Sequence, residues 1–376
     1  MKYLRFLRLG WILVLAVLVL GVTIITPALA SNSAAQPTTH TQIAQQASSS
    51  SLNAIVYLTT GSLASTFQNR IDQQVPDAVN AAISNMVSTL PAKDQGWATE
   101  MATTLIQPSV VLVNLYPQQG GLAMTLRLSL YPGDPKAITS STLIRFSVLN
   151  SSTVQVNATP MNGGPSLVSG PLTTFRMPLG SLNSIHATPG CGNAALALNL
   201  QFPVALGQSS SQVQHFTSNI STTVSKMLFA GNINSFIEVP AASLSSLSKS
   251  IGSMPAGNSF TDKNVRMVVQ GSNIHILSDI YWSGINIGTA DTTVAPYAAG
   301  GNLVLHVLST NLSIFDLFKF PLNSYNQQIQ QTLNSKLGNA FAGKFYVAQA
   351  GIGPNGLLPC AASDSLVLAG TISALG

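Results

Sequence analysis

The strictest alternation of apolar and polar positions runs through Leu122, Met124, Leu126, Leu128 and Leu130, separated by small or polar residues. A period of two marks a strand with one buried face. The preceding Gly120-Gly121 turns it back on Val110–Leu115 as a hairpin. Upstream the period lengthens. Val75, Val79, Ala82, Ile83, Met86 and Leu90 recur at helical spacing until Pro91 stops the run. Asp94 is placed to cap a second helix carrying Trp97, Met101 and Leu105, which Pro108 ends. Further strands are predicted at Thr142–Leu149, Thr153–Ala158, Leu172–Met177 and Ala194–Val204.

The pattern then starts again. Ile233–Val239 reads as a strand and Ala241–Ile251 as a helix. Alternating strands follow at Val265–Gln270, Asn273–Trp282, Gly284–Val294 and, after a Gly300-Gly301-Asn302 turn, Leu303–Leu308, with Leu312–Phe320 next. Pro321 is expected to open a helix carrying Leu322, Tyr325, Ile329, Leu333 and Leu337, with Gly338 as its stop. Strands Lys344–Ala350 and Ser365–Ile372 complete the chain.

Two stretches echo each other at an offset of 181 positions: Leu52–Phe67 and Ile233–Ser248, with Asn53/Asn234, Ser62/Ser243, Leu63/Leu244 and Ser65/Ser246 identical. Phe175-Arg176-Met177-Pro178-Leu179 likewise answers Phe318-Lys319-Phe320-Pro321-Leu322, and Cys191 and Cys360 each precede a final apolar strand. The echoes keep their order, which predicts a duplication: one unit over 52–206, a Ser/Thr-rich connection over 207–231, and a second unit over 232–376. Extra helices near Val75–Pro108 and Leu322–Gly338 explain why the offset varies.

Residues 1–30 carry Lys2, Arg5 and Arg8, an apolar run Trp11–Ile25, then Pro27 and Ala28-Leu29-Ala30. That is the pattern of a cleaved export signal. The alternative is an uncleaved N-terminal anchor, for which the run falls short of the ~20 residues of a usual span. Either reading places the rest of the chain in the extracellular space or cell envelope. Residues 31–51 are polar, nearly uncharged and without period, as in a disordered tether.

Charged residues make up 7% of the chain against 46% hydrophobic ones, where soluble domains average about 25% charged. Without the three basic residues of the leader, 13 basic residues face 11 acidic ones. This leaves no electrostatic footprint for nucleic acid. Nor does the sequence hold a convincing catalytic set. Ser246-Leu247-Ser248-Lys249 has S-x-x-K spacing but lacks the partner motifs of that chemistry. Gly351-Ile352-Gly353-Pro354-Asn355-Gly356 has G-x-G-x-x-G spacing, yet Pro354 and Asn355 make it a hairpin connection rather than a helix opening. His40, His186, His215, His275 and His306 are scattered, with no metal spacing, and Asp279 and Asp291 read as solvated strand residues. The chain is expected to be no enzyme and to need no cofactor or metal. Cys191 and Cys360 are the only cysteines. Export favours a disulfide between them if both lie near the axis relating the repeats; otherwise they are two separate buried thiols.

The second repeat, with its strand–helix opening, Thr293–Pro296, Gly300–Leu305 and Phe320–Leu322 before an amphipathic helix, resembles the tubular lipid-binding (TULIP) superfamily in its bacterial LmeA/YpmS branch. The resemblance covers roughly Ile233–Ile372 and, more loosely, the first repeat. It implies an α+β fold in which each unit wraps a curved antiparallel sheet around long amphipathic helices. It also implies a groove for a lipid or other apolar small molecule, with a membrane surface as a further partner. On the helix faces, Val79, Ile83 and Met86 are the groove candidates of the first unit. Those of the second are Leu244, Leu247, Tyr325, Ile329 and Leu333. Trp97, Tyr281 and Trp282 line the site or its mouth if a groove exists, and are core residues if not. The competing expectation is a structural or adhesive surface module with a filled core and no ligand.

Overall fold

A computed structural model describes residues 50–105, 107–161, 170–176, 180–204, 233–251, 260–315, 317–337 and 345–372. The export signal, nearly all of the tether, the 207–231 connection and Gly338 lie outside the described residues. Antiparallel sheet dominates, with four α-helices among the described residues, so the fold is broadly α+β.

The first repeat supplies β1 (Ser50–Thr59), α1 (Thr60–Ser88), α2 (Ala92–Leu105), β2 (Ser109–Gln118), β3 (Gly121–Ser129), β4 (Ile138–Asn150), β5 (Thr153–Pro160), β6 (Gly170–Arg176), β7 (Ser181–Ala187) and β8 (Ala194–Val204). The second supplies β9 (Ser235–Val239), α3 (Ala241–Ile251), β10 (Phe260–Gln270), β11 (Asn273–Trp282), β12 (Ile285–Ala299), β13 (Asn302–Ile314), β14 (Phe318–Pro321), α4 (Asn326–Leu337), β15 (Phe345–Ile352) and β16 (Leu366–Ile372). Each repeat therefore runs strand, helix, five-stranded meander and a final strand pair. β6 and β14, which carry the Phe-basic echo, are both the last strands of their meanders.

Compactness groups the residues differently from the repeats. One compact unit holds Leu63–Ser147 and Val154–Phe175, and the other holds the remaining described residues. Within the first, β2 to β6 form one sheet in chain order. Val79, Ile83 and Val87 of α1 pack with Val75 and with Ala98 and Ala102 of α2. The Thr59 hydroxyl accepts the Ser62 N–H at 3.2 Å and so caps α1. The helix is 29 residues long and runs through Pro76, starting well before the Val75–Leu90 stripe read from the sequence. Pro76 removes the helical donor to the Asp72 carbonyl. Asp72, Gln73, Pro76 and Asp77 are all exposed, which leaves that carbonyl on the solvent side. Gln68 of α1 pairs its side-chain amide with the edge of β2, donating to the Val110 carbonyl at 3.0 Å and accepting from the Leu112 N–H at 2.7 Å.

Within the second unit, six strands form a sheet in the order β15-β16-β9-β1-β8-β7. Every residue of β9 and all but one of β16 are buried. Strands apolar on both faces belong in the middle of a covered sheet. β1 and β9 pair antiparallel, with Val56 directly opposite Ile237. These positions answer each other in the 181-residue echo, and the strand order is arranged symmetrically about that pair. β1/β9, β8/β16 and β7/β15 are related across it. Cys191 and Cys360 form a disulfide, Cα atoms 5.1 Å apart. Cys191 sits in a core cluster with Tyr57, Phe236, Leu358, Val367 and Ala369, and Cys360 is exposed.

The same unit contains the meander β10 to β14. Along β11, Ile274, Ile276, Ser278 and Ile280 are buried while the alternate residues are not. They join Val294, Leu303, Leu305 and Val307 on one apolar face. α3 packs on β10 and β1, and α4 packs on β13. Gly288 in β12 lies against the Ser313 carbonyl, where a β-carbon would overlap it.

Candidate functional site

The sequence-predicted site residues fall in two separate settings in the first unit and the second. Val79 and Ile83 are buried inside the α1–α2 helix pair, and Met86 is half-buried beside them. Val79 and Ile83 form helix–helix core. The predicted apolar stripe of α2 points the other way. Its alanines face α1, leaving Trp97, Met101 and Leu105 exposed. Asp94 lies in the first turn of α2 rather than before it.

In the second unit Leu244 is buried on α3. The Leu247 side chain lies outside the described residues. Tyr325, Ile329 and Leu333 occupy successive turns on one face of α4 or its lead-in. Their exposure falls along that face: Tyr325 is 39% exposed, Ile329 is half-buried and Leu333 is 0% exposed. Two side-chain contacts hold α4 against β13. The Gln330 carbonyl oxygen accepts the Val307 N–H at 3.1 Å, and Asn334 accepts from the Leu305 N–H at 2.8 Å while donating to the Leu305 carbonyl at 3.2 Å. These amides occupy the edge of β13 where it has β12 on one side only, since β14 pairs with residues 311–314. The arrangement is an apolar stripe that descends from an exposed start to a dry end, laid on the strand that supplies Leu303, Leu305 and Val307 to the buried face.

The start of that stripe is preceded along the chain by exposed apolar side chains that sequence reading assigned to a strand. Phe318 and Phe320 of β14 stack at 6.4 Å between centroids, and Leu322 follows, half-buried. Pro321 ends β14 instead of opening α4. β14 is an edge strand, where proline's missing N–H is tolerated. A short turn of 3₁₀ helix, Asn323–Tyr325, then leads into α4. The signal in the sequence was the run Ile314–Phe320, which is apolar without a clear period.

A second buried feature was missed altogether. Tyr57 and Glu238, 181 residues apart and answering each other in the echo, meet beside the Val56–Ile237 pair. The Tyr57 hydroxyl donates to Glu238 Oε2 at 2.6 Å, and the Ala362 N–H donates to Glu238 Oε1 at 2.8 Å. Burial, then the Glu238 carboxylate, push the Tyr57 hydroxyl well above the usual phenol range. The signal was there: the 181-residue echo aligns the two positions, and Glu238 is the one charged residue in β9.

The remaining polar candidates are structural in their surroundings. His275 is partly exposed on the face opposite the isoleucines, its Nδ1 2.9 Å from Asp291 Oδ1 across the β11–β12 pair. Asp279 accepts from the Asn264 amide at 2.7 Å and lies 3.8 Å from Arg266. His306 is exposed and shares Gln330 with β13. The Ser246 hydroxyl bonds back to the Ala242 carbonyl at 3.0 Å; Lys249's side chain lies outside the described residues. Gly353 and Asn355 sit in a turn connecting β15 to β16, and no helix follows them. Among the described residues no cluster of three or more metal-ligating side chains occurs, and no helix is long and apolar enough to cross a membrane.

No family model and no curated protein matches the chain. Among solved structures, that of P47 from Clostridium botulinum A2 matches with a TM-score of 0.30 and 8% identity, over 85% of this chain and 97% of that one. At that score the likeness carries no argument about fold or function.

Proposed function

We propose that the chain is an exported, non-enzymatic carrier of a lipid or similar apolar ligand, taken up between α4 and the β10–β14 sheet in a TULIP-like unit. The graded stripe Tyr325–Ile329–Leu333 supports this reading above all. A helix serving only as core has no need of an apolar face that begins in solvent, following Phe318, Phe320 and Leu322 along the chain, and ends fully dry. An acyl chain laid along it gains ~0.8 kcal/mol for each buried CH₂. Gln330 and Asn334 of α4 bond the backbone of β13 and so anchor the helix.

The test is lipid extraction and native mass spectrometry of purified protein, with uptake of a fluorescent fatty-acyl probe. Co-purifying lipid and saturable uptake are expected. Ile329→Trp fills the middle of the stripe and is expected to weaken probe binding at least tenfold with the melting temperature retained. A chain with neither lipid nor uptake is the structural module instead. An Ile329→Trp variant that simply unfolds marks the stripe as filled core and ends the proposal.

A further inference from the structure

We propose that the adjoining tips of the β11–β12 and β13–β14 hairpins insert into one leaflet of a lipid bilayer. The β12–β13 register places Gly288 opposite Ile314, so the start of β12 and the end of β13 lie at the same end of the sheet. The β11–β12 tip is a two-residue turn, Ser283-Gly284, with φ of 48° and 86°, flanked by Trp282 and Ile285. Positive φ at both positions is the tight hairpin turn matched to strand twist. The neighbouring tip carries Phe315, Leu317 and Phe318. Exposure is 52% for Trp282, 64% for Ile285, 63% for Phe315, 78% for Leu317 and 58% for Phe318. Five large apolar side chains are thus held in water at one end of one sheet.

Two amides of the second tip are already paired. The Phe315 N–H donates to the Ile287 carbonyl at 3.0 Å, and the Leu317 N–H to the Ile314 carbonyl at 3.1 Å. Phe315 adopts φ of 51°, a conformation unusual for a bulky residue, and the bond to Ile287 holds it there. Amides satisfied within the protein can enter an apolar phase without becoming orphaned donors.

Size and charge choose the bilayer over a protein. A standard protein interface takes about 20–30 residues a side, whereas two narrow tips offer five. Nearby among the described residues stand Lys263, Arg266 and Lys319, against Asp279, which lies 3.8 Å from Arg266, and the buried Asp262. Lys263 and Lys319 are exposed, and the Lys263 ammonium rests 4.7 Å from the Tyr281 ring centroid. Aromatic rings at the head-group level with basic residues behind them match the membrane interface. The inference does not depend on ligand uptake, because it is read on vesicles without a probe.

The experiment uses the full chain with Trp11→Phe and Trp97→Phe, leaving Trp282 as the one tryptophan of three. Its fluorescence is recorded with vesicles of phosphatidylcholine, with and without one-fifth phosphatidylglycerol, and with dibrominated lipid. Quenching by the brominated chains is expected. Ile285→Ser with Leu317→Ser and Phe318→Ser is expected to lower vesicle partitioning about tenfold or more at unchanged melting temperature. Lys319→Glu is expected to cost about fivefold on the anionic vesicles and little on the neutral ones. An unquenched Trp282, or partitioning equal to wild type in the triple variant, overturns the inference. So does self-association that the triple variant abolishes without any vesicle binding, which assigns the tips to a second copy. If the triple variant fails to fold, quenching of Trp282 in the otherwise unaltered tips still decides.

Discussion

Replacing Tyr57 with Phe removes one oxygen from an enclosed polar contact in the second compact unit. Tyr57 is 5% exposed and Glu238 is 3% exposed, and their surroundings are Phe236, Leu358, Val367 and Ala369. The ring of Phe fills the same space, so no cavity term enters. What is lost is a hydrogen bond to a buried carboxylate, worth about 1.5–3 kcal/mol. Glu238 Oε2 is then left without that donor, while Oε1 keeps the Ala362 N–H. The expected loss is about 2 kcal/mol in urea unfolding with the disulfide intact. In a Glu238→Leu background both polar partners are gone and the same Tyr57→Phe change should be nearly neutral. Interaction energy in this double-mutant cycle is the decisive quantity. An equal cost of Tyr57→Phe in both backgrounds would show that packing, not the hydrogen bond, holds the pair, and would refute the reasoning.

The pair also sets a limit at high pH. The Tyr57 hydroxyl is raised above its ordinary value in the folded chain, so the folded state favours its protonated form. That contribution is fully present below the unfolded pKa of about 10 and is lost as pH rises from there towards the folded value. Wild type should therefore lose stability above about pH 10 more steeply than Tyr57→Phe.

Two further outcomes follow from neighbouring features. Opening the Cys191–Cys360 bridge, which closes a loop over a sequence separation of 169, is expected to cost about 5 kcal/mol in the chain-entropy model; a Cys191→Ala/Cys360→Ala protein with an unchanged urea midpoint would contradict this. Asp134 accepts the Leu130 N–H at 3.0 Å and the Lys136 N–H at 2.8 Å, and these two backbone bonds hold its carboxyl below the usual range. A lowered folded pKa stabilises above the unfolded value of about 3.9 and is lost as pH falls through the folded one, so Asp134→Ala should flatten the acid limb of the pH–stability profile, and an unaltered limb counts against the assignment.

Period alone carried much of the fold. The alternation through Leu122–Leu130 gave β3, and the helix Ala241–Ile251 and the strand Asn273–Trp282 have the bounds read from sequence. What period does not carry is which element covers a face. α2 has the expected stripe, yet Ala98 and Ala102 meet α1 and the bulky Trp97, Met101 and Leu105 stay outside. β7, Ser181–Ala187, was invisible because Leu182 is its only buried side chain. Pro321 was misplaced because a proline that opens a helix and one that ends an edge strand look alike without knowing the edge. The tips escaped notice for a related reason: Ile314–Phe320 reads as a buried run until the turn at Phe315–Leu317 exposes it.

The pairing of Val56 with Ile237 also bears on why the residues beside it differ between the two echoing stretches. Positions 57 and 238 answer each other in the echo, and both are buried. A symmetric pair would set either two carboxylates or two phenols against each other there. Two buried like charges repel in a weakly screening interior. Two phenols leave the Ala362 N–H, which now binds Glu238 Oε1, without its carboxylate acceptor. One acceptor and one donor satisfy the site, so a strictly symmetric pair is disfavoured there. The same asymmetry is visible outward from it. The first repeat spends its extra helix on α2, packed against α1. The second places its own on α4, beside β13, where the graded stripe and the exposed tips follow from one another along a continuous stretch of chain. Ligand uptake and membrane contact are therefore sought in the second repeat, and substitutions in the α1–α2 pair should report on stability alone.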